Sequence, residues 1–403
     1  MPFTFSRYRS RLLGFASGLC LAVTLPFLSA FPAVAAERVV LTYGFVEIST
    51  TVDELKRYAE TGEAGPELRP YLRFLSESQR SQLRQALQVR KDIDAVQMSQ
   101  FLYSAIGENI LRSVGGIIQT TGRRDGAKAL RGALVLAASE PEGLSLLGVL
   151  EHFAPDAVRI DSQRAFRVFN AFTGLISDTD NAIAAIENQK TPTSRLSPTV
   201  PALQSLSAPG PYSVMLETLS VVDNQRDRTL PTDLYLPEGL PADVTSPVIV
   251  ISHGLSGDRK GFIPLAEHLA SHGYAVAALD HPASNRTQLD ALFRGAAQEV
   301  AEPTEFSNRP RDVSYLLDAL TLRSQANQLN LDSVAVIGHS FGGYTALALS
   351  GAQLDQENLQ TNCDSDDFIY NAANPSMVLQ CTALLAPEQF SYDLRDERID
   401  AVI

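Results

Sequence analysis

The sequence is short of cysteine, of positive charge and, toward its end, of histidine, and each shortage closes off a class of function. Three cysteines, Cys20, Cys363 and Cys381, form no Cys-x-x-Cys zinc or redox spacing and are too few for a disulfide framework. Thirty-three Lys and Arg against 46 Asp and Glu leave a net charge of −13, the wrong sign for gripping a phosphate backbone, so no nucleic-acid partner is expected. At 45% apolar and 20% charged residues the chain is too hydrophobic to be a disordered tail. No metal site and no cofactor are expected.

What is present begins with a leader. Arg7, Arg9 and Arg11 precede an apolar run from Leu12 to Ala30 and an Ala33-Val34-Ala35 site ahead of Ala36, the layout of a secretory signal. Residues 1–35 are therefore read as a signal peptide, with the mature protein periplasmic or secreted. The alternative, an uncleaved membrane anchor, is opposed by Pro26, Pro32 and the Ala-x-Ala site. Leu19 is larger than the small residue that precedes a lipidated cysteine, which argues against lipidation at Cys20.

Val39 to Ser49 has the β-branched and aromatic content of one strand, after which the period changes. Thr51-Val52-Asp53-Glu54 offers a capping box, and Leu55, Tyr58 and Ala59 follow at helical spacing. The spacing recurs in Leu72/Leu75, Leu83/Leu87, Phe101/Leu102/Ala105/Ile106 and Phe166/Phe169, so residues 36–190 are expected to form a mostly α-helical domain, a cover or a lid. Five prolines, Pro192, Pro198, Pro201, Pro209 and Pro211, mark residues 191–211 as a linker. Beyond it, strands at Ser213–Val222, Thr229–Leu236, Pro247–Ser252, Tyr274–Leu279 and Ser333–Ile337 alternate with helices near Phe262–His272, Asp312–Leu322 and Gly342–Ser350. That order predicts an α/β domain over residues 212–403 with a mostly parallel sheet covered by helices on both faces.

The chemistry concentrates at Val334-Ala335-Val336-Ile337-Gly338-His339-Ser340-Phe341-Gly342-Gly343, a Gly-x-Ser-x-Gly at a strand-to-helix turn. In such an elbow the serine takes a strained backbone that lifts its hydroxyl above the sheet, and Gly338 and Gly342 keep strand and helix close. A second buried strand, Val248-Ile249-Val250-Ile251, ends in Ser252-His253-Gly254-Leu255, where a second oxyanion donor belongs. Ser340 is thus the candidate nucleophile, and the backbone N–H groups of Leu255 and Phe341 are the candidate oxyanion donors. His253, Gly254 and His281 are pocket candidates. His268 and His272 stand at i and i+4, but Leu269 occupies the position where a zinc protease needs Glu.

These residues resemble the α/β-hydrolase superfamily, and within it the branch of platelet-activating-factor acetylhydrolases and dienelactone-hydrolase-like proteins. Ser252-His253-Gly254-Leu255, Leu269-Ala270-Ser271-His272-Gly273-Tyr274, Ala278-Leu279-Asp280-His281-Pro282, Arg311-Asp312 and the Ser340 elbow follow the order of that branch. The helical stretch resembles a domain of unknown function that precedes some exported bacterial hydrolases. The resemblance implies hydrolysis of carboxylic esters, possible phospholipid acetyl-esters among them, through an acyl-enzyme on Ser340, with a small-molecule or lipid-like ester as partner. Oligomeric state is not legible.

One departure stands out. In the family the acid and then the histidine follow the serine, yet His339 is the last histidine here, and Ile399-Asp400-Ala401-Val402-Ile403 reads as the start of a further strand. The domain is accordingly expected to be partial, with its acid and base beyond residue 403 and little activity in the chain as it stands. Asp393, Asp396 and Asp400 are read as solvated surface charges. The alternative, from another class, is a non-catalytic binding or assembly protein on a hydrolase scaffold. Cys363 and Cys381, in an exported chain, are expected to form a disulfide, with two free thiols as the alternative.

Overall fold

The computed structural model describes residues 36–73, 75–154, 156–188, 207–241, 243–323, 328–364 and 374–403. The signal peptide with its cleavage after Ala35, and most of the expected linker (191–206), lie outside the described residues. The described residues cluster into one unit.

The N-terminal part opens with β1 (Arg38–Tyr43) and β2 (Val46–Thr51), followed by α1 (Val52–Thr61), α2 (Arg69–Leu72), α3 (Glu77–Gln88), β3 (Arg90–Lys91), α4 (Ala95–Tyr103) and α5 (Ala105–Ile117). Then come β4 (Ile118–Gln119), α6 (Ala127–Ala137), β5 (Leu144–Ser145), α7 (Leu146–His152), β6 (Ala157–Asp161) and α8 (Ser162–Asn188). The single strand expected over Val39–Ser49 is a hairpin, because Gly44 turns the chain and β2 returns antiparallel to β1. With β6 and β4 it makes a four-stranded sheet, in order β2-β1-β6-β4, that the helical reading did not foresee. The helices do the burying: Met98, Leu102, Leu111, Leu130 and Phe153 fill one core, and Val52, Leu55, Tyr58 and Leu72 another.

The Thr51 hydroxyl caps α1 by accepting from Glu54 N–H, so half of the expected capping box is present. The other half is redirected. The Glu54 carboxylate accepts from Leu68 N–H at 2.7 Å and Glu67 N–H at 3.3 Å, pinning the loop before α2 instead of its own N-cap.

The C-terminal part carries β7 (Ser213–Asp223), β8 (Arg228–Glu238), β9 (Ser246–Ser252), α9 (Ile263–Ser271), β10 (Ala275–Leu279), α10 (Arg286–Phe293) and α11 (Glu305–Thr321). After these come β11 (Leu329–Gly338), α12 (Phe341–Leu349), α13 (Gln356–Asp364), α14 (Pro375–Gln380) and β12 (Ile399–Val402). The strands form one six-stranded sheet in order β12-β11-β9-β10-β8-β7. Its centre is parallel, and the β7–β8 hairpin joins β10 antiparallel. Alternation along β9 serves two cores: Val248 and Val250 meet α11 and α12 on one face, and Ile249 and Ile251 meet α9 on the other.

Helix α11 begins at Glu305, seven residues before the expected Asp312 start, and runs through Pro310. A proline there frees the carbonyl four residues back. Here that carbonyl, on Phe306, accepts from the Tyr344 hydroxyl at 2.9 Å, which satisfies it from the neighbouring helix. Asp396 is not a solvated charge: its side chain is 9% exposed and accepts from the Arg398 guanidinium at 2.7 Å.

Cys363 and Cys381 are joined by a disulfide across 18 residues of chain. By the loop-closure argument this link contributes roughly 3 kcal/mol. Cys363→Ser is therefore expected to lower the unfolding free energy by about that amount in denaturant titration, and a reduced protein of unchanged stability would contradict it.

Candidate functional site

Ser340 occupies the joint between β11 and α12, at φ 54° and ψ −114°, a region a residue with a side chain enters only under strain of about 1–3 kcal/mol. The turn is tight enough to specify its neighbours. A Cβ on Gly338 would sit 2.1 Å from the Gly342 carbonyl oxygen, and one on Gly342 would sit 2.0 Å from that of Ser252. Only glycine fits either position, and Ser340 is left exposed at the C-terminal edge of the sheet.

The loop after β9 lies beside it. A Cβ on Gly254 would come within 3.2 Å of Ser340 Cβ and 2.9 Å of His339 Nδ1. Ser256 N–H donates to Ser284 O and Gly257 N–H to Gly254 O, whereas among the described residues the N–H groups of Leu255 and Phe341 donate to no backbone carbonyl. Both residues and Ser340 line one cavity of about 500 Å³. Most of its other walls are apolar, with Phe306, Tyr344, Leu354 and Leu379 among them. The geometry thus brings together Ser340, Leu255, Phe341, Gly254 and the elbow residues Gly338, His339 and Gly342.

His253 and His281 belong elsewhere. Read as pocket candidates, they are 1% and 0% exposed and do not line the cavity, because both are sealed into a polar network beneath it. His281 donates from Nδ1 to Asp312 at 3.0 Å and accepts at Nε2 from the Ser252 hydroxyl at 2.9 Å. His281 N–H donates to His253 Nε2 at 3.0 Å, and His253 Nδ1 donates to Gly254 O at 2.7 Å. Asp280 accepts from the Arg259 backbone N–H at 2.7 Å and pairs with the Arg259 guanidinium.

Arg309 ties this network to the site. It is fully buried and donates to Ser284 Oγ at 2.9 Å, to Thr345 Oγ1 at 3.1 Å, to Ser252 Oγ at 3.3 Å and to the carbonyl of His253. Its guanidinium also lies 4.5 Å from the ring centre of Phe341, the residue after the serine. Glu305 accepts from Ser284 at 2.6 Å and pairs with Arg228 at 2.8 Å, and Arg228 also pairs with Asp312 at 2.7 Å. Sequence reading missed Arg228, Ser284, Glu305 and Arg309. A signal was available: Glu305, Arg309 and Asp312 recur at i, i+4 and i+7, a charged stripe on the face of α11 that packs against the sheet.

Burial governs the charges. It lowers the His253 pKa to about 4, helped by the Arg309 charge, and holds His281 well below its usual value, also with Arg309 opposing protonation. Burial brings the Arg309 guanidinium down to about 10, against the pull of Glu305 and Asp312. Asp312 stays below the ordinary carboxylate range because hydrogen bonds from His281 and Arg228 outweigh its burial. No group of three or more His, Cys, Asp or Glu among the described residues is arranged to hold a metal ion.

Both histidines are neutral when folded and free to protonate when unfolded, so stability is expected to be full above pH 6.5 and to fall as pH drops toward about 4. His253 alone accounts for up to about 3 kcal/mol across that window. Urea midpoints measured from pH 7 to pH 4.5 test this, and His253→Gln should flatten the slope.

Two family models match the chain. One, described as an alpha/beta hydrolase of unknown function (DUF1400), matches residues 35–161, and the other, described as the alpha/beta hydrolase fold, matches residues 247–358. The chain is 28% identical to platelet-activating factor acetylhydrolase of Bos taurus over 137 residues, 25% of this chain and 31% of the relative. It is 35% identical to the chloroplastic chlorophyllase-1 of Citrus unshiu over 104 residues, 26% of this chain and 28% of the relative. It is 29% identical to cutinase est1 of Thermobifida alba over 159 residues, 36% of this chain and 47% of the relative. The chain thus spans less than half the length of these curated relatives. The second family match contains both the Ser252–Leu255 loop and the strand-turn-helix elbow at Ser340, and with the sheet described above the chain has the α/β-hydrolase fold.

Proposed function

We propose that the protein is an exported serine hydrolase that cleaves carboxylic esters. The observation that carries this reading is the left-handed turn at Ser340, which opens into an apolar cavity that Leu255 and Phe341 also line. In the proposed reaction the Ser340 hydroxyl attacks the acyl carbonyl. The N–H groups of Leu255 and Phe341 receive the oxyanion, the alcohol departs, and water releases the acyl group. Relatives named as an acetylhydrolase, a chlorophyllase and a cutinase support esters as the substrate class. The signal-like layout of residues 1–35 and the Cys363–Cys381 disulfide support an oxidising, exported location.

Ser340 needs a base, and His253 and His281 are sealed in the network under the cavity, where burial keeps them neutral and fully hydrogen-bonded. Neither is therefore assigned as the base that serves Ser340.

In the full-length protein a fluorophosphonate probe is expected to label Ser340 and a short-chain aryl ester to be hydrolysed, both lost in Ser340→Ala. Labelling that survives this substitution would remove Ser340 from the mechanism, and unlabelled protein that still binds esters would favour a binding role. Gly254→Ala tests the oxyanion side. Its added methyl would stand 3.2 Å from Ser340 Cβ, crowding the space between the donors, so kcat is expected to drop by about 10² or more with the fold retained.

A further inference from the structure

The cavity at Ser340 has one wall that cannot stand alone. Helix α14 spans only Pro375–Gln380, and Ser376, Leu379 and Gln380 line the cavity from it. A six-residue helix has little stability of its own, so its position depends on what it packs against.

Three supports are visible. Cys381, directly after α14, is tied to Cys363 by the disulfide. Leu379 packs into the cluster of Phe306, Phe341 and Ala383. The third support comes from the N-terminal part of the chain. Val378, on α14, is buried in one cluster with Ile106 of α5 and with Leu292 and Val300, and Phe101, Ile110 and Leu255 pack against the same cluster. Helix α5 therefore packs on the α14 wall, within the same cluster that Leu255 joins.

The contact is oriented by polar groups as well. Glu299, in the segment after α10, accepts from Ala105 N–H at the start of α5 at 2.8 Å, and Gln288 of α10 donates to Glu299 O at 2.9 Å. Helix α4 packs on α10 beside this anchor. The carboxylate thus caps a helix start from across the boundary between the two sequence regions, which fixes where Ile106 lands.

We propose that the N-terminal helical part is a working component of the substrate site: Ile106 of α5 holds α14 and Leu255 in place, and thereby limits the length of apolar acyl chain that reaches Ser340. This rests on the reading of Ser340 as the nucleophile. The substrate class it implies is esters of short acyl chains, admitted by a wall that loosening would open to longer ones.

The test compares Ile106→Ala with the conservative Ile106→Leu in the full-length protein, by two measurements. Hydrogen exchange at the α14 amides is expected to rise about tenfold or more in Ile106→Ala, through loss of its packing on Val378, and to stay near wild type in Ile106→Leu. The rate ratio of p-nitrophenyl octanoate to p-nitrophenyl acetate is expected to rise by about tenfold in Ile106→Ala alone. Unchanged α14 exchange in Ile106→Ala, or raised exchange with an unchanged ratio, would overturn the proposal. Should Ile106→Ala fail to fold, Val378→Ala removes the same contact from the hydrolase side and is read in the same way. Hydrolysis that persists in Ser340→Ala would defeat the nucleophile assignment instead, and the exchange measurement, which needs no turnover, keeps the two failures apart.

Discussion

The site depends on a guanidinium taken wholly out of water. Arg309 sits under the elbow and the neighbouring loop at once, reaching the His253 carbonyl on one side and Thr345 and the Phe341 ring on the other. A buried charge is tolerated only where its donors are used and opposite charge is close. Glu305 and Asp312 from its own helix supply that charge, and Arg228 from the β7–β8 hairpin balances them. Networks of this kind are poor sources of net stability, since an apolar replacement of equal shape often does as well. What this one supplies is direction: few donor and acceptor arrangements satisfy every member, and those fix the heights of two loops relative to one serine.

Much of the α/β part was legible because its signals are local. The apolar runs of β9, β10 and β11 and the glycine spacing around Ser340 each follow from sterics within a few residues, and the structure places them as expected. The readings that failed depended on partners distant in sequence. The helix expected from Asp312 starts at Glu305, and Tyr344, 34 positions after Pro310, satisfies the carbonyl that this proline frees. Glu54 looked like half of a capping box, and a loop at Glu67 and Leu68 outcompeted the cap for its carboxylate. His253 and His281 looked like pocket residues because polar side chains after strands so often are. Their seclusion follows from Arg309, Ser252 and Asp312; the helical spacing of Arg309 and Asp312 can be read in the sequence, but their meeting with Ser252, 57 positions before Arg309, cannot.

The helical part and the sheet part meet through a mixed contact, apolar at Ile106 and polar at Glu299. Each chemistry contributes something different. The apolar cluster excludes water and is indifferent to small rotations, while the Glu299 carboxylate on the Ala105 amide admits one helix orientation. Burial and the nearby acids Glu302 and Glu108 raise the pKa of Glu299, against the Ala105 hydrogen bond, which favours its charged form.

The buried network also bears on how the protein reaches its native state. Its members come from Arg228, Ser252, His281, Glu305, Asp312 and Thr345, so closing it requires β8, β9, β10, α11 and α12 to be in register together. Contacts of such wide sequence separation form slowly and carry a loop-closure cost before they return anything. The loops beside Ser340 are accordingly expected among the last elements to set during folding, and a half-assembled molecule would present the serine without its flanking amides in place.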